Sequence, residues 1–251
     1  MGDPRNPIPD EDDPLSRDYF YRRRVIVRQK KKGYRFSLDA PLLADFLPPS
    51  PGPVLEVGCG SGIISLLALY RRKFSKVTAV EIQPGMAAIA RENACLNGME
   101  ERLQVVCADF RTMDLKSGSF EMIFANPPFE PMGKGRLSRL EEIRLAKFEV
   151  TLTIAALLDR ASILLTPTGR VYFIHPHSRW AEIQELTLRL GLHMVQWRVV
   201  RPFPDSPPDR VLVGLGKAPG TGMELTPLTV FTEPGQYSDE LERILSGVDH
   251  D

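Results

Sequence analysis

Four short clusters contain residue types at spacings that could do chemistry. The first is Glu56-Val57-Gly58-Cys59-Gly60-Ser61-Gly62. A turn carrying almost no side chains lets a ligand approach the backbone, with the N–H groups of a helix start beyond it. The pattern is Gly-x-Gly-x-Gly followed by Ile63, which departs from the dinucleotide fingerprint Gly-x-Gly-x-x-Gly. The second is Glu81 with Ile82 beside it, 23 residues after Gly58. A carboxylate at that place can accept both hydroxyls of a ribose. The third is Asp109-Phe110, an acceptor for an adenine amino group next to a ring that packs near the base. Each has a plain structural alternative: loop glycines, a solvated strand-end acid, a helix cap. Their coincidence at three successive strand ends favours an adenosine ligand.

The fourth cluster is Asn126-Pro127-Pro128-Phe129. Prolines lack the backbone donor, so this turn presents acceptors: the Asn126 side-chain carbonyl and the Pro127 main-chain carbonyl. Phe129 adds an aromatic face. An exocyclic aromatic amine is a poor nucleophile, because its lone pair is delocalised into the ring. Two acceptors gripping its hydrogens, with a ring holding the base plane, let the nitrogen pyramidalise toward an electrophile. The competing reading is a Pro-Pro turn with a packed Phe.

These clusters need a scaffold that brings strand ends together. Strand-like runs at Val54–Val57, Val77–Val80, Leu103–Cys107, Phe120–Ala125, Gly169–Ile174, Met194–Val200 and Arg210–Gly216 are separated mostly by helical segments. Helices are expected over Leu38–Leu47, Ile63–Arg71, Pro84–Asn97, from about Glu142 to Leu165, and over Ser178–Leu190. The alternation predicts an α/β fold: a seven-stranded Rossmann-like sheet, mostly parallel with the last strand antiparallel, and helices on both faces. In such a sheet ligands sit outside the carboxyl ends of the strands, where all four clusters fall. His175 and His177 read as loop histidines.

Together these residues resemble the S-adenosylmethionine-dependent methyltransferases of Rossmann type, specifically the amino methyltransferases with an Asn-Pro-Pro-Phe/Tyr motif, over about Gly33 to Lys217. The resemblance implies S-adenosyl-L-methionine as cofactor. It places the methionine part on Glu56, Gly58, Gly60 and Gly62, the ribose on Glu81 with Ile82 adjacent, and the adenine on Asp109 and Phe110. Asn126, Pro127, Pro128 and Phe129 would form the methyl-acceptor site, Asn126 also facing the cofactor. A narrower likeness lies in Gln29-Lys30-Lys31-Lys32-Gly33-Tyr34-Arg35-Phe36-Ser37-Leu38-Asp39-Ala40 with Arg210-Val211-Leu212-Val213. It looks like the bacterial tRNA adenine-N6 methyltransferases that act on the adenine next to the anticodon of valine tRNA.

The 251 residues carry equal numbers of acidic and basic side chains, but neutrality is cancellation between segments. Residues 1–18 hold six acids and two bases, 19–36 hold eight bases and no acid, and 218–251 hold seven acids and one base. The basic segment favours a polyanion locally. Arg22, Arg23, Arg24, Lys30, Lys31, Lys32 and Arg35 are candidates for phosphates of an RNA, with a solvated arm as the alternative. Further bases, Lys134, Arg136, Arg139, Arg144 and Lys147, follow the acceptor motif. The domain reading is a disordered acidic tail to residue 18, a methyltransferase domain with a basic arm over 19–217, and an extension over 218–251.

Other classes are disfavoured. The longest apolar run, Ile63 to Tyr70, is far short of a membrane span. The N-terminus lacks signal-peptide order, and Cys59, Cys95 and Cys107 read as reduced thiols in a cytoplasm. Four histidines form no zinc constellation, so no metal is expected. Nothing in the sequence sets an oligomeric state. Three rivals remain: a protein glutamine methyltransferase, an rRNA guanine-N2 or DNA adenine methyltransferase, and a non-catalytic binding subunit of the same fold.

Overall fold

The computed structural model describes residues 14–31, 37–128 and 152–247. The chain opens with an antiparallel hairpin, β1 (Leu15–Phe20) and β2 (Val25–Lys30). Next comes α1 (Asp39–Phe46), where Ser37 Oγ accepts the Asp39 N–H at 3.2 Å. Short runs of Val, Leu, Ile and Phe then form β3 (Val54–Val57), β4 (Val77–Glu81) and β6 (Phe120–Ala125), buried on both faces, and the more exposed edge strand β5 (Leu103–Cys107). Between them stand α2 (Ile63–Tyr70) and α3 (Pro84–Leu96), the latter opened by a proline whose missing N–H costs nothing in the first turn. After these come α4 (Ile154–Leu164), β7 (Leu165–Pro176), α5 (Trp180–Arg189), β8 (His193–Arg201) and β9 (Arg210–Gly216).

The seven main strands run in the order β5-β4-β3-β6-β7-β9-β8. All pairs from β5 to β7 are parallel, and β9 lies antiparallel between β7 and β8. The expected architecture is therefore present. Strand order reverses between β3 and β6, so the carboxyl ends of these two strands flank the crevice where such sheets bind ligands. Alternate residues feed two cores. Met122 and Phe124 pack with α1 to α3, while Ile123 and Ala125 pack with α4 and α5.

The hairpin is fastened to α3 by two asparagines. Asn97 Oδ1 accepts the Ile26 N–H at 2.9 Å and its amide donates to the Ile26 carbonyl at 2.7 Å. Asn93 repeats the exchange with Arg28 at 2.8 and 2.9 Å, and also donates to the Ser61 carbonyl at 2.9 Å. Gly85, at the start of α3, faces the Lys30 ammonium, 3.9 Å from where a Cβ would stand. Strand β2 thus runs antiparallel to α3. Its Lys30 end lies by the crevice and its Val25 end by the far end of the sheet, about 20 Å away for a helix of this length.

Three boundaries differ from expectation. Leu15–Asp18 lie within β1 rather than in a disordered tail, because their backbone pairs with residues 27–30. Helix α4 begins at Ile154, since Thr153 is extended and its hydroxyl caps the Ala156 N–H at 3.1 Å. Strand β7 continues through Pro176, so His175 is a fully buried strand residue rather than a loop histidine, and burial lowers its pKa to about 4. The extension is built onto the domain. Short strands β10 (Met223–Glu224) and β11 (Leu228–Thr229) run parallel to β8. A ribbon of β12 (Phe231–Glu233) and β13 (Gln236–Tyr237) leads to α6 (Asp239–Ser246), whose Leu241 and Ile244 are buried in the α1 to α3 core. No helix among the described residues is long and apolar enough to cross a membrane.

Candidate active site

Gly58 and Gly60 adopt φ of +67° and +56°, a left-handed conformation that favours glycine. A Cβ on Gly58 would meet nothing within 4 Å, so this backbone lies open to the pocket that it lines. The turn is tied to the end of β4: Gly58 and Cys59 N–H donate to the Val80 carbonyl at 2.8 and 3.1 Å. Gly62 serves otherwise. It precedes α2 at φ +80°, a left-handed conformation that favours glycine, and its Cβ position lies at ordinary contact distance, 3.4 Å, from Ala90. Gly62 does not line the pocket.

Glu56 is also set back from the pocket wall. It is 1% exposed, and its Oε2 accepts the Ser65 hydroxyl. Oε1 is buried with no hydrogen-bond partner among the described residues. Burial pushes this carboxyl up to about 8, so it carries a proton at neutral pH. Cys59, buried in the same turn, is pushed up for the same reason.

Glu81 lines the pocket and is the hub of this end of the sheet. Its Oε2 accepts the Gly60 N–H at 2.8 Å and its Oε1 the Gln83 N–H at 2.9 Å. Burial raises its pKa, with the backbone donors acting against that. Each carboxylate oxygen keeps a lone pair for a further donor, which suits a pair of vicinal hydroxyls. Ile82 beside it is 36% exposed for an apolar side chain and also lines the pocket.

Asp109 and Phe110 form the next wall. Asp109 is gripped by Arg111: the Arg111 backbone N–H and Nε reach Oδ1 at 2.9 and 3.0 Å, and Nη2 reaches Oδ2 at 2.6 Å. The Arg111 guanidinium holds the Asp109 carboxyl below the usual range. Phe110 lies under the Arg160 guanidinium, 5.3 Å from ring centroid to Cζ. Arg160 in turn donates to the Arg111 carbonyl at 2.9 Å, bracing the loop from α4.

Opposite stand Asn126, Pro127 and Pro128 at the end of β6. Asn126 Oδ1 is buried and has no hydrogen-bond partner among the described residues. Leaving an amide carbonyl unpaired costs roughly 1–3 kcal/mol, which marks it as an acceptor held for a donor that comes from outside. Phe129 lies outside the described residues, as do Lys32, Arg35 and the basic positions 134–147.

The structure thus brings Gly58, Gly60, Glu81, Ile82, Asp109, Phe110, Asn126, Pro127 and Pro128 around one pocket. It divides the basic candidates. Lys30 and Lys31 are at the crevice end of the hairpin, whereas Arg22, Arg23 and Arg24 are in its turn at the opposite end of α3. Sequence reasoning missed Gln83, Met86 and Leu152 on the pocket wall, and the Arg111 grip on Asp109. Gln83 and Met86 were within reach of it, because they flank the start of the helix that follows Glu81. Gln83 Oε1 is a second buried acceptor without a partner among the described residues. Leu152 had no signal, as it joins the wall only through the chain path after the acceptor loop.

Comparison with known proteins bears on this geometry. A family model described as "Methyltransferase domain" matches residues 54–144. A curated tRNA1(Val) (adenine(37)-N6)-methyltransferase of Porphyromonas gingivalis is 30% identical over 241 residues, covering 90% of this chain and 93% of its own. One from Serratia proteamaculans is 28% identical over 228 residues, covering 89% and 86%. Among solved structures, a predicted O-methyltransferase from Agrobacterium tumefaciens superposes with a TM-score of 0.64 at 20% identity, over 83% of this chain and 96% of that one. The Methanocaldococcus jannaschii tRNA m1G37 methyltransferase does so with 0.60 at 13% identity, over 84% and 59%. These two likenesses concern the fold.

Proposed function

The chain belongs to the tRNA1(Val) (adenine(37)-N6)-methyltransferase family, and on that premise we propose that it methylates the exocyclic N6 of the anticodon-adjacent adenine of valine tRNA, using S-adenosyl-L-methionine. The observation that carries this reading is Asn126 Oδ1. It is a buried acceptor without a partner among the described residues, in the same pocket wall as Gly58, Glu81 and Asp109.

When bound, S-adenosyl-L-methionine supplies a methyl group on a positively charged sulfur as the electrophile. The residues present fit it. The open backbone of Gly58 and Gly60 takes the methionine part, with the protonated Glu56 beneath as support. Glu81 accepts the ribose hydroxyls while Gly60 and Gln83 hold its carboxylate in place. Asp109 faces the adenine edge, and Ile82 and Phe110 supply apolar contact.

For the acceptor, Asn126 Oδ1 and the Pro127 carbonyl take the two N6 hydrogens. The nitrogen lone pair is thereby turned out of the ring toward the methyl carbon. The methyl group that S-adenosyl-L-methionine would supply is the one this oriented lone pair would accept, the cofactor departing as a neutral thioether. The methylated nitrogen then gives a proton to solvent. Asn126 has no basic site and acts by orientation, the main source of catalysis expected here. A base inside folded RNA must be splayed out to reach the pocket, and stacking on Phe129 offsets part of that cost. Lys30 and Lys31, beside the crevice, suit the flanking phosphates.

The test is incubation of valine tRNA with the protein and methyl-labelled S-adenosyl-L-methionine, followed by digestion to nucleosides. Label is expected in N6-methyladenosine. Label in guanosine, or in an adenosine derivative other than N6-methyladenosine, would assign the site to another acceptor, and no label in the tRNA would overturn the RNA reading.

A further inference from the structure

The β1–β2 turn is the most strained backbone among the described residues. Tyr21, Arg22 and Arg23 are three successive non-glycine residues at φ of +53°, +53° and +66°. Such a conformation costs about 1 kcal/mol or more per residue and persists only where the surroundings enforce it. Here Tyr21 enforces it. The side chain is 3% exposed, its N–H donates to the Leu245 carbonyl at 3.3 Å, and its ring lies 5.2 Å from that of Tyr70. Its ring also fills the space over Gly247, where a Cβ would stand 2.2 Å from Cδ1. The end of α6 therefore clamps the turn.

The clamp presents cations. Arg22 and Arg24 are exposed, Arg24 bonding the Tyr70 hydroxyl at 3.2 Å, and Arg23 lies over the Tyr19 ring at 4.2 Å. Arg72, exposed and itself at φ +57°, follows Tyr70 by two residues. Neighbouring cations are committed elsewhere: Lys73 Nζ donates to the carbonyls of Ala44, Asp45 and Leu47, Arg71 pairs with Asp45, and Arg28 with Glu92. Helix α6 brings its C-terminal end to this place and keeps its acidic first turn away, with Glu240 on Arg198.

We propose that Arg22, Arg23, Arg24 and Arg72 form a second phosphate-binding site, set by α6 through Tyr21, which grips the RNA about 20 Å, the length of α3, from the crevice. This rests on the reading of an RNA substrate and adds that the substrate is measured along the hairpin. Lys30 and Lys31 stand at the crevice end of the same hairpin. A folded RNA reaches both sites, and a nucleoside or very short oligonucleotide reaches one.

The experiment uses the full chain and a valine tRNA transcript, with binding measured across a salt series. The variant R22Q/R24Q/R72Q is expected to lose tenfold or more in affinity, and the slope of log affinity against log salt falls by about 0.7–0.9 for each phosphate no longer neutralised. S-adenosylhomocysteine binding by calorimetry stays as in wild type, which shows that the domain is folded. The charge-neutral Gly247→Val, which displaces Tyr21, is expected to weaken tRNA binding three- to tenfold. If the arginine variant binds tRNA like wild type with the same slope, the second site is overturned. If only Gly247→Val is silent while folded, the control by α6 is overturned. Wild-type protein that binds no RNA at all would instead sink the functional reading.

Discussion

Gly60 donates its N–H to the Glu81 carboxylate at 2.8 Å, and the second oxygen of the same carboxylate takes the N–H of Gln83. One side chain thus locks the glycine turn after β3 to the helix start after β4. Glu81 shapes the pocket before any ligand arrives. Glu81→Ala leaves two backbone donors without an acceptor, which costs about 1–3 kcal/mol of stability, and removes the proposed ribose acceptor. Thermal unfolding should show the loss, and calorimetry should show S-adenosylhomocysteine affinity down at least tenfold. An unchanged affinity would remove Glu81 from the cofactor site.

Glu56 makes stability depend on pH. Its ordinary value is 4.5 and burial raises it to about 8 in the folded protein. Between those values the folded state binds a proton that the unfolded chain does not, so stability from this group is fully present below pH 4.5. It is lost as pH rises through 8. The ligand-free wild type should therefore lose several kcal/mol more than Glu56→Gln between pH 5 and 9. Parallel stability curves for the two proteins would show that the buried carboxyl is already ionised.

Asn93 is fully buried and bonds three backbone groups, the N–H and carbonyl of Arg28 and the carbonyl of Ser61. Hairpin, α3 and glycine turn meet on this amide. Asn93→Leu should destabilise by roughly 2–5 kcal/mol, since buried polar groups are orphaned on both sides. Hydrogen exchange should quicken at Arg28 as well as in the glycine turn. Fast exchange confined to one of them would mean that the two are held independently.

Arg111 pairs with Asp109 at the surface, the two side chains being 44% and 26% exposed, so their pairing contributes little stability. The consequence lies in binding. Arg111→Ala should leave the melting temperature nearly unchanged and weaken S-adenosylhomocysteine three- to tenfold, because Asp109, the proposed adenine contact, loses the bonds that orient it. Tighter binding would mean that Arg111 competes with the ligand for the carboxylate.

The centre of the sheet is legible in the sequence because its strands there are short, apolar on both faces and punctuated by glycine or proline. The runs Val54–Val57 and Phe120–Ala125 coincide with β3 and β6 to the residue. The pocket-facing residues are legible for the same reason, since a residue directly after a parallel strand must face the crevice. What depends on direction in space is not. The eight bases of 19–36 read as one arm, but β2 runs antiparallel to α3 through Asn93 and Asn97, and this carries Arg22–Arg24 away from Lys30. Gly62 reads as a ligand glycine but does not line the pocket; it takes the φ of +80° at which the turn enters α2. The Arg111 grip on Asp109 stays hidden because a two-residue spacing alone does not show which way a long side chain folds.

The most direct measurement is methyl transfer by Asn126→Ala beside wild type, on valine tRNA with labelled S-adenosyl-L-methionine, alongside cofactor affinity. Wild type should place label in N6-methyladenosine at the adenine next to the anticodon. The variant should lose transfer by about 100-fold or more while binding S-adenosylhomocysteine within a few-fold of wild type, as expected for an acceptor that orients only the target amine. Transfer retained by Asn126→Ala, or wild-type label in any other product, would contradict the account.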